Sequence, residues 1–252
     1  MSDVAAPDPT HTTSTRTFVL IHGAWHGGWC WRFVVERLAA RGHRVFAPSL
    51  TGLGDRRHLV EAASSIDVPI ADIENLIESE ELSDVVLVGH SFGGLVASGV
   101  ADRMPGSIRA LVMLDSLLVE SGQTAFDVLP ASVVKERMDA VKASGQTLAM
   151  PVNGLAGTGI PDDHPLAGWV RRRLTPHPLA TYRTPLTLAN PLGNGLPRTY
   201  VHCANPSYDT LLPVRERIRA LPGWGWETID TGHDAMVLNP DLLVELLERL
   251  AA

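Results

Sequence analysis

A chain of 252 residues, 45% of them hydrophobic and 19% charged, has ordinary globular usage and suits one α/β domain, which excludes a disordered or fibrous polymer. Its net charge of −7 argues against a nucleic-acid binder, because neutralising phosphates takes a surplus of Lys and Arg. Cys30 and Cys203 are the only cysteines, too few for a disulfide framework or a zinc cage, and no apolar run reaches the roughly 18 residues of a membrane helix, so a reducing, cytoplasmic setting is expected.

Residues 1–16 carry acidic side chains and no apolar stretch, which predicts a disordered tail rather than a secretory signal. Strands are predicted at Thr17–Ile21, Arg44–Ala47, Val85–Val88, Arg109–Leu114, Arg198–Cys203 and Trp226–Asp230. Several are apolar throughout rather than alternating, the pattern of parallel strands covered on both faces. Helical patterns lie between them at Trp29–Arg41, Ile70–Leu82, Phe92–Met104 and Pro213–Leu221, and a last one opens at Asn239-Pro240. Alternation of this kind predicts an α/β fold with a six-stranded, mostly parallel sheet flanked by helices, its active loops along one edge. The alternation fails over 117–197, a proline-rich stretch with helix-like segments at Ala131–Ala143 and Leu166–Leu174 and a Gly-rich NGLAGTG. That stretch reads as a lid inserted after the fourth strand, leaving 17–116 and 198–252 as the core.

Gly89-His90-Ser91-Phe92-Gly93 follows an apolar strand and precedes a helix. A G-x-S-x-G bend in that context lifts a serine hydroxyl above the sheet and beside a helix N-terminus, which marks Ser91 as a nucleophile. The glycine-rich His22-Gly23-Ala24-Trp25-His26-Gly27-Gly28 follows the first strand and can spare backbone N–H groups. An acyl-transfer oxyanion needs two such donors, and position assigns them to Phe92 and Ala24. His233 follows the last strand in Gly232-His233-Asp234, the place for the base that takes the serine proton. His22 and His90 read as structural hydrogen-bonding residues. The acid that should orient His233 has two candidates: Asp209, in the loop after the fifth strand, and Asp115, at the end of the fourth. Gly23 and Trp25 are placed at the substrate. Trp29, Trp31 and Phe92 read as core, Leu166 and Trp169 as residues able to cap the pocket, and Arg171-Arg172-Arg173 as a solvated helix face.

FVLIHGAWHGGWCW, the Arg41-Gly42-His43-Arg44-Val45 turn, GHSFGG and GHDAMV resemble the α/β-hydrolase fold superfamily, and within it the small esterase branch of plant methylesterases and hydroxynitrile lyases, with bacterial carboxylesterases alongside. The resemblance implies a compact helical cap after the fourth sheet strand, a catalytic triad and no cofactor or metal. The lyases of that branch carry threonine where Gly23 stands and lysine where Asp234 stands, and an aspartate would repel a leaving cyanide. Ester hydrolysis through an acyl-enzyme, as in a carboxylesterase-type serine hydrolase, is therefore expected for small to medium apolar acids or alcohols. The alternatives are a hydroxynitrile-lyase-like or cofactor-independent oxygenase reaction at the same site, and a slow-turnover ligand receptor. The expected partner is a small-molecule ester, with neither nucleic acid nor membrane, and a homodimer is left open.

Overall fold

Val85–Val88, apolar without alternation, lie in the middle of the main sheet, where both faces are covered. The computed structural model describes residues 15–252, so the expected tail falls outside it except for Thr15 and Arg16. Arg16 is fastened rather than loose: its Nε donates to the Ala251 carbonyl at 2.9 Å and its backbone N–H to His43 Nδ1 at 3.2 Å.

In chain order the strands are β1 (Thr17–Ile21), β2 (Arg44–Phe46), β3 (Val85–His90), β4 (Ile108–Leu114), β5 (Ala149–Met150), β6 (His177–Pro178), β7 (Arg198–Cys203) and β8 (Gly225–Ile229). β5 and β6 pair with each other, antiparallel; the other six form one sheet in the order β2-β1-β3-β4-β7-β8, parallel throughout. The helices are α1 (Arg32–Ala40), α2 (Asp67–Ser79), α3 (Gly93–Arg103), α4 (Ala131–Ser144), α5 (Ala167–Arg171), α6 (Ala180–Arg183), α7 (Leu212–Ala220), α8 (Ala235–Leu238) and α9 (Pro240–Leu250). Among the described residues no helix is long and apolar enough to cross a membrane.

The two-residue period of a strand divides the core into two layers. Val19, Ile21, Val85, Leu87, Leu111 and Met113 face one layer, with Ile70 and Ile73 of α2 and Val96 and Val100 of α3. Phe18, Leu20, Val86, Val88, Val112 and Leu114 face the other, with Val34 and Leu38 of α1 and Val244 and Leu247 of α9. The chain steps from β1 outward to β2 and then returns to β3 on the opposite side, so the switch point lies between β1 and β3. Loops leaving the carboxyl ends of those two strands border the crevice where open α/β sheets bind ligands.

Local chemistry moves several boundaries. The first helical pattern begins as a 3₁₀ turn at Gly28–Trp31 before α1. α2 starts three residues before the predicted Ile70, since Pro69 is tolerated in a first turn, and Glu81 at φ 50° stops it short of Leu82. Asn239 caps α9, its side chain accepting the Leu242 N–H at 3.3 Å. Residues 117–197 contribute α4, α5, α6 and the β5–β6 pair between β4 and β7.

Candidate active site

Ser91 sits between β3 and α3 at φ 52°, a left-handed conformation that costs a non-glycine residue about 1–3 kcal/mol. The bend is held from both sides. Ser91 N–H donates to the Leu114 carbonyl at 3.1 Å, and the Ser91 carbonyl accepts from Gly94 at 3.0 Å and Leu117 at 2.8 Å. The flanking glycines are required by close backbone. A Cβ on Gly89 would stand 2.7 Å from the Gly93 carbonyl oxygen, and one on Gly93 would stand 2.7 Å from that of Ile21. The motif therefore packs the start of α3 directly against the end of β1.

Across the crevice, the loop after β1 is pinned by three histidines whose protons are fixed by their partners. His22 Nε2 accepts the Leu50 N–H at 3.0 Å, so its Nδ1–H donates to the Gly23 carbonyl at 2.8 Å. Burial lowers the His22 pKa to about 4, which keeps the ring neutral. His177 Nδ1 accepts the Trp25 N–H at 3.4 Å while its Nε2–H donates to Thr181 Oγ1 at 2.9 Å. His26 differs: both ring nitrogens face acceptors, Nδ1 the Ala24 carbonyl at 2.7 Å and Nε2 Asp234 Oδ2 at 2.9 Å. Both must donate, so His26 is an imidazolium. Burial alone would lower its pKa, but the Asp234 carboxylate and the Ala24 carbonyl outweigh burial and raise it. Among the described residues no acceptor is paired with the N–H of Phe92 or Ala24.

His233 Nδ1–H donates to Asp115 Oδ2 at 2.7 Å, which leaves Nε2 for the cavity that Ser91 also lines. The imidazole is clamped between two aromatic rings, His90 and Tyr208, each 4.6 Å away between centroids. His90 Nε2–H donates to the His233 carbonyl at 3.0 Å, and burial, with the neighbouring His233 and His26, holds the His90 pKa far below its usual value. The structure corrects the first-named acid. Asp209 is a surface residue, its side chain 85% exposed and its nearest cation Arg215 at 3.7 Å. The loop after β7 presents the Tyr208 ring to the imidazole instead of a carboxylate. The carboxylate comes from Asp115 at the end of β4, the next strand along the sheet, and it is fully buried, at φ 40°. Its second oxygen accepts from buried Arg215 at 3.4 Å, so its charge is compensated by Arg215 and further satisfied by the His233 hydrogen bond.

Gly23, Ala24, Trp25, His26, His90, Ser91, His233 and Asp234 line one cavity, joined from the insertion by Leu117, Leu129, Arg137, Gly157, Thr158 and Tyr182, and from the β7 loop by Tyr208. A Cβ on Gly23 would lie 2.9 Å from both Ser91 Cβ and His90 Nδ1. Asp234 is buried and paired with His26, so it does not present the free negative charge that the comparison with lyases assumed. Trp31 and Phe92 are core. Trp29 stacks on His26 at 5.3 Å, and Trp169 packs on Trp29 at 5.1 Å and Phe33 at 5.4 Å. Neither Trp169 nor Leu166 lines the cavity; Trp169 packs on Phe33 of α1, and Leu166 joins the core layer on that side of the sheet. His90, His233 and Asp234 bring ligand-type atoms within 4.8 Å of one another; hydrogen bonds engage His90 Nε2, His233 Nδ1 and Asp234 Oδ2, while His90 Nδ1 and Asp234 Oδ1 are buried without a partner. The pairing of His26 with Asp234 has a visible sequence trace, a histidine inside the glycine loop and an acid directly after the late histidine. Arg137 has none, because its place depends on the path of the insertion.

A parallel sheet that carries a serine in left-handed backbone at a strand-to-helix bend, sharing a cavity with a carboxylate-held imidazole, defines an α/β protein built around a candidate nucleophile. The chain belongs to the alpha/beta hydrolase family, whose profile matches residues 18–246. It is 39% identical to a carbendazim hydrolyzing esterase of Nocardioides sp. (strain SG-4G) over 245 residues, 93% of this chain and 98% of that one. An α-hydroxynitrile lyase of Arabidopsis thaliana is 36% identical over 115 residues, 44% of each chain. In fold it superposes on an extracellular α/β-hydrolase from a Paenibacillus species with a TM-score of 0.80 at 22% identity, covering 93% of this chain and 98% of the other. The family and its esterase relative make this chain a hydrolase.

Proposed function

We propose that the protein is a carboxylesterase-type serine hydrolase. Ser91 Oγ attacks the ester carbonyl while His233 Nε2 takes its proton, and His233 then returns a proton to the leaving alcohol. Asp115 holds the imidazole in the tautomer that exposes Nε2 and stabilises the imidazolium. The N–H groups of Phe92 and Ala24 receive the oxyanion, and water cleaves the acyl-enzyme through the same imidazole. Residues 117–197 act as a cap that closes the cavity over small to medium esters, and no cofactor enters the cycle.

The observation that carries this reading is the 2.7 Å bond from His233 to buried Asp115 beside a cavity shared with Ser91. The Nocardioides relative, matched over almost its whole length, supports ester hydrolysis and puts carbendazim on the list of substrates to try. The test is turnover of short 4-nitrophenyl esters by wild type, Ser91→Ala, Asp115→Asn and Asp209→Asn. Ser91→Ala is expected to lose turnover and fluorophosphonate labelling. Asp115→Asn should fall by about 10³- to 10⁴-fold in kcat, as when a triad aspartate is neutralised, while Asp209→Asn stays within about twofold as a surface change. Wild-type rates in Ser91→Ala would refute the assignment.

A further inference from the structure

Arg137 projects from α4 of the insertion into the cavity that Ser91 and His233 line. Its guanidinium lies 5.1 Å from the Trp25 ring centroid and 5.3 Å from that of Tyr182, and its Nη2 donates to Tyr208 Oη at 3.5 Å. Its Nη1 is buried and has no hydrogen-bond partner. An arginine is charged at any working pH, and a desolvated donor left unpaired is costly.

The charges around it are otherwise matched. Asp234 is paired with His26 at 2.9 Å, and Asp115 with His233 at 2.7 Å and Arg215 at 3.4 Å. Among the described residues no carboxylate stands within 4.0 Å of the Arg137 guanidinium; its neighbour Glu136 is exposed and accepts from Asn153 instead. Burial raises the Tyr182 pKa, so that phenol supplies no countercharge. Aromatic faces thus hold one uncompensated cation on the cavity wall. Arg137, Trp25 and Tyr208 also border a second cavity, whose wall includes Glu136, so the cation faces both that space and the cavity that Ser91 lines.

Resting on the serine-esterase reading above, we propose that Arg137 determines specificity by receiving a carboxylate remote from the scissile carbonyl, so that the preferred substrates are esters bearing a second, ionised acid group. A carboxylate there gains a charge-assisted hydrogen bond from the unpaired Nη1 and neutralises the site.

The experiment compares monomethyl adipate with methyl 6-methylheptanoate, which has the same chain and shape but an isopropyl end in place of the carboxylate, by methanol release. Wild type is expected to favour the acid ester by about tenfold or more in kcat/KM, the size of one hydrogen bond to a charged group. In Arg137→Met the ratio should fall to about one, and Arg137→Lys should keep part of it, with folding of each variant checked by its melting curve. Adipate itself should inhibit wild type competitively at concentrations where hexanol does not, a readout that needs no variant. A wild-type ratio of one, a ratio unchanged in Arg137→Met, or no inhibition by adipate overturns the role of Arg137. Failure of both esters together with no fluorophosphonate labelling of Ser91 would instead sink the esterase reading, and this inference with it.

Discussion

His26 carries a proton on each ring nitrogen because each faces an oxygen that can only accept, and that single fact ties two loops of the candidate site together. Asp234 directly follows His233, while the Ala24 carbonyl belongs to the loop proposed to bind the oxyanion. The imidazolium therefore bridges the base loop to the oxyanion loop through one buried ion pair. Its folded pKa is raised above the ordinary value of 6.5, so its contribution to stability is fully present below pH 6.5 and fades as pH rises through the raised folded value. Urea midpoints of wild type and Asp234→Asn should therefore differ most below pH 6.5 and converge at alkaline pH. Breaking a buried pair costs about 3–5 kcal/mol, which sets the scale at the acid end. A gap that stays constant from pH 5.5 to 9 would show that His26 does not carry this charge.

Between elements, the approach of the β1 loop to the β3–α3 bend leaves no room for a side chain at Gly23. A Cβ there would meet Ser91 Cβ and His90 Nδ1 at 2.9 Å, and both are held, Ser91 by three backbone hydrogen bonds and His90 by the His233 carbonyl. Gly23→Ala must move either the bend or the loop, and a displacement near 1 Å costs about 10²-fold in rate. The expected result is a loss of that order in kcat/KM on a 4-nitrophenyl ester with a melting temperature near wild type. An unchanged rate would mean that the loop yields freely. The same elements show what the sequence can and cannot reveal. β1 and β7 are read to the residue, and Ser91 and His233, picked from local motifs, line one cavity, because strand pattern and loop chemistry are local. The acid is not local: Asp209 and Asp115 are separated only by knowing that β4 adjoins β7 and that Tyr208 fills the space beside the imidazole. The pairing of Asp234 is likewise hidden, because its partner, His26, lies in another loop.

At the scale of the whole molecule, the insertion has no core of its own. Leu118, Val141, Met150, Leu179, Tyr182 and Leu186 are buried in the layer that α2, α3 and α7 cover, and Leu155, Ile160, Ala167 and Val170 in the layer on the α1 and α9 side. Tyr182 stacks on Phe92 at 5.1 Å, next to Ser91. Fully burying one such side chain is worth about 1.5–3 kcal/mol, so the set together rivals the entire 5–15 kcal/mol by which a domain is ordinarily stable. Core and insertion should therefore unfold together. In urea, fluorescence of a variant that keeps only Trp25 and Trp169 of the six tryptophans, both at the insertion's edge, and far-ultraviolet dichroism, which samples the sheet and its helices, are expected to give coincident transitions. Replacing residues 120–195 by a short Gly-Ser linker should yield no folded core. An early fluorescence transition that leaves the dichroism intact would instead show a cap able to detach, and closure over the substrate would then have to come from motion rather than from shared packing.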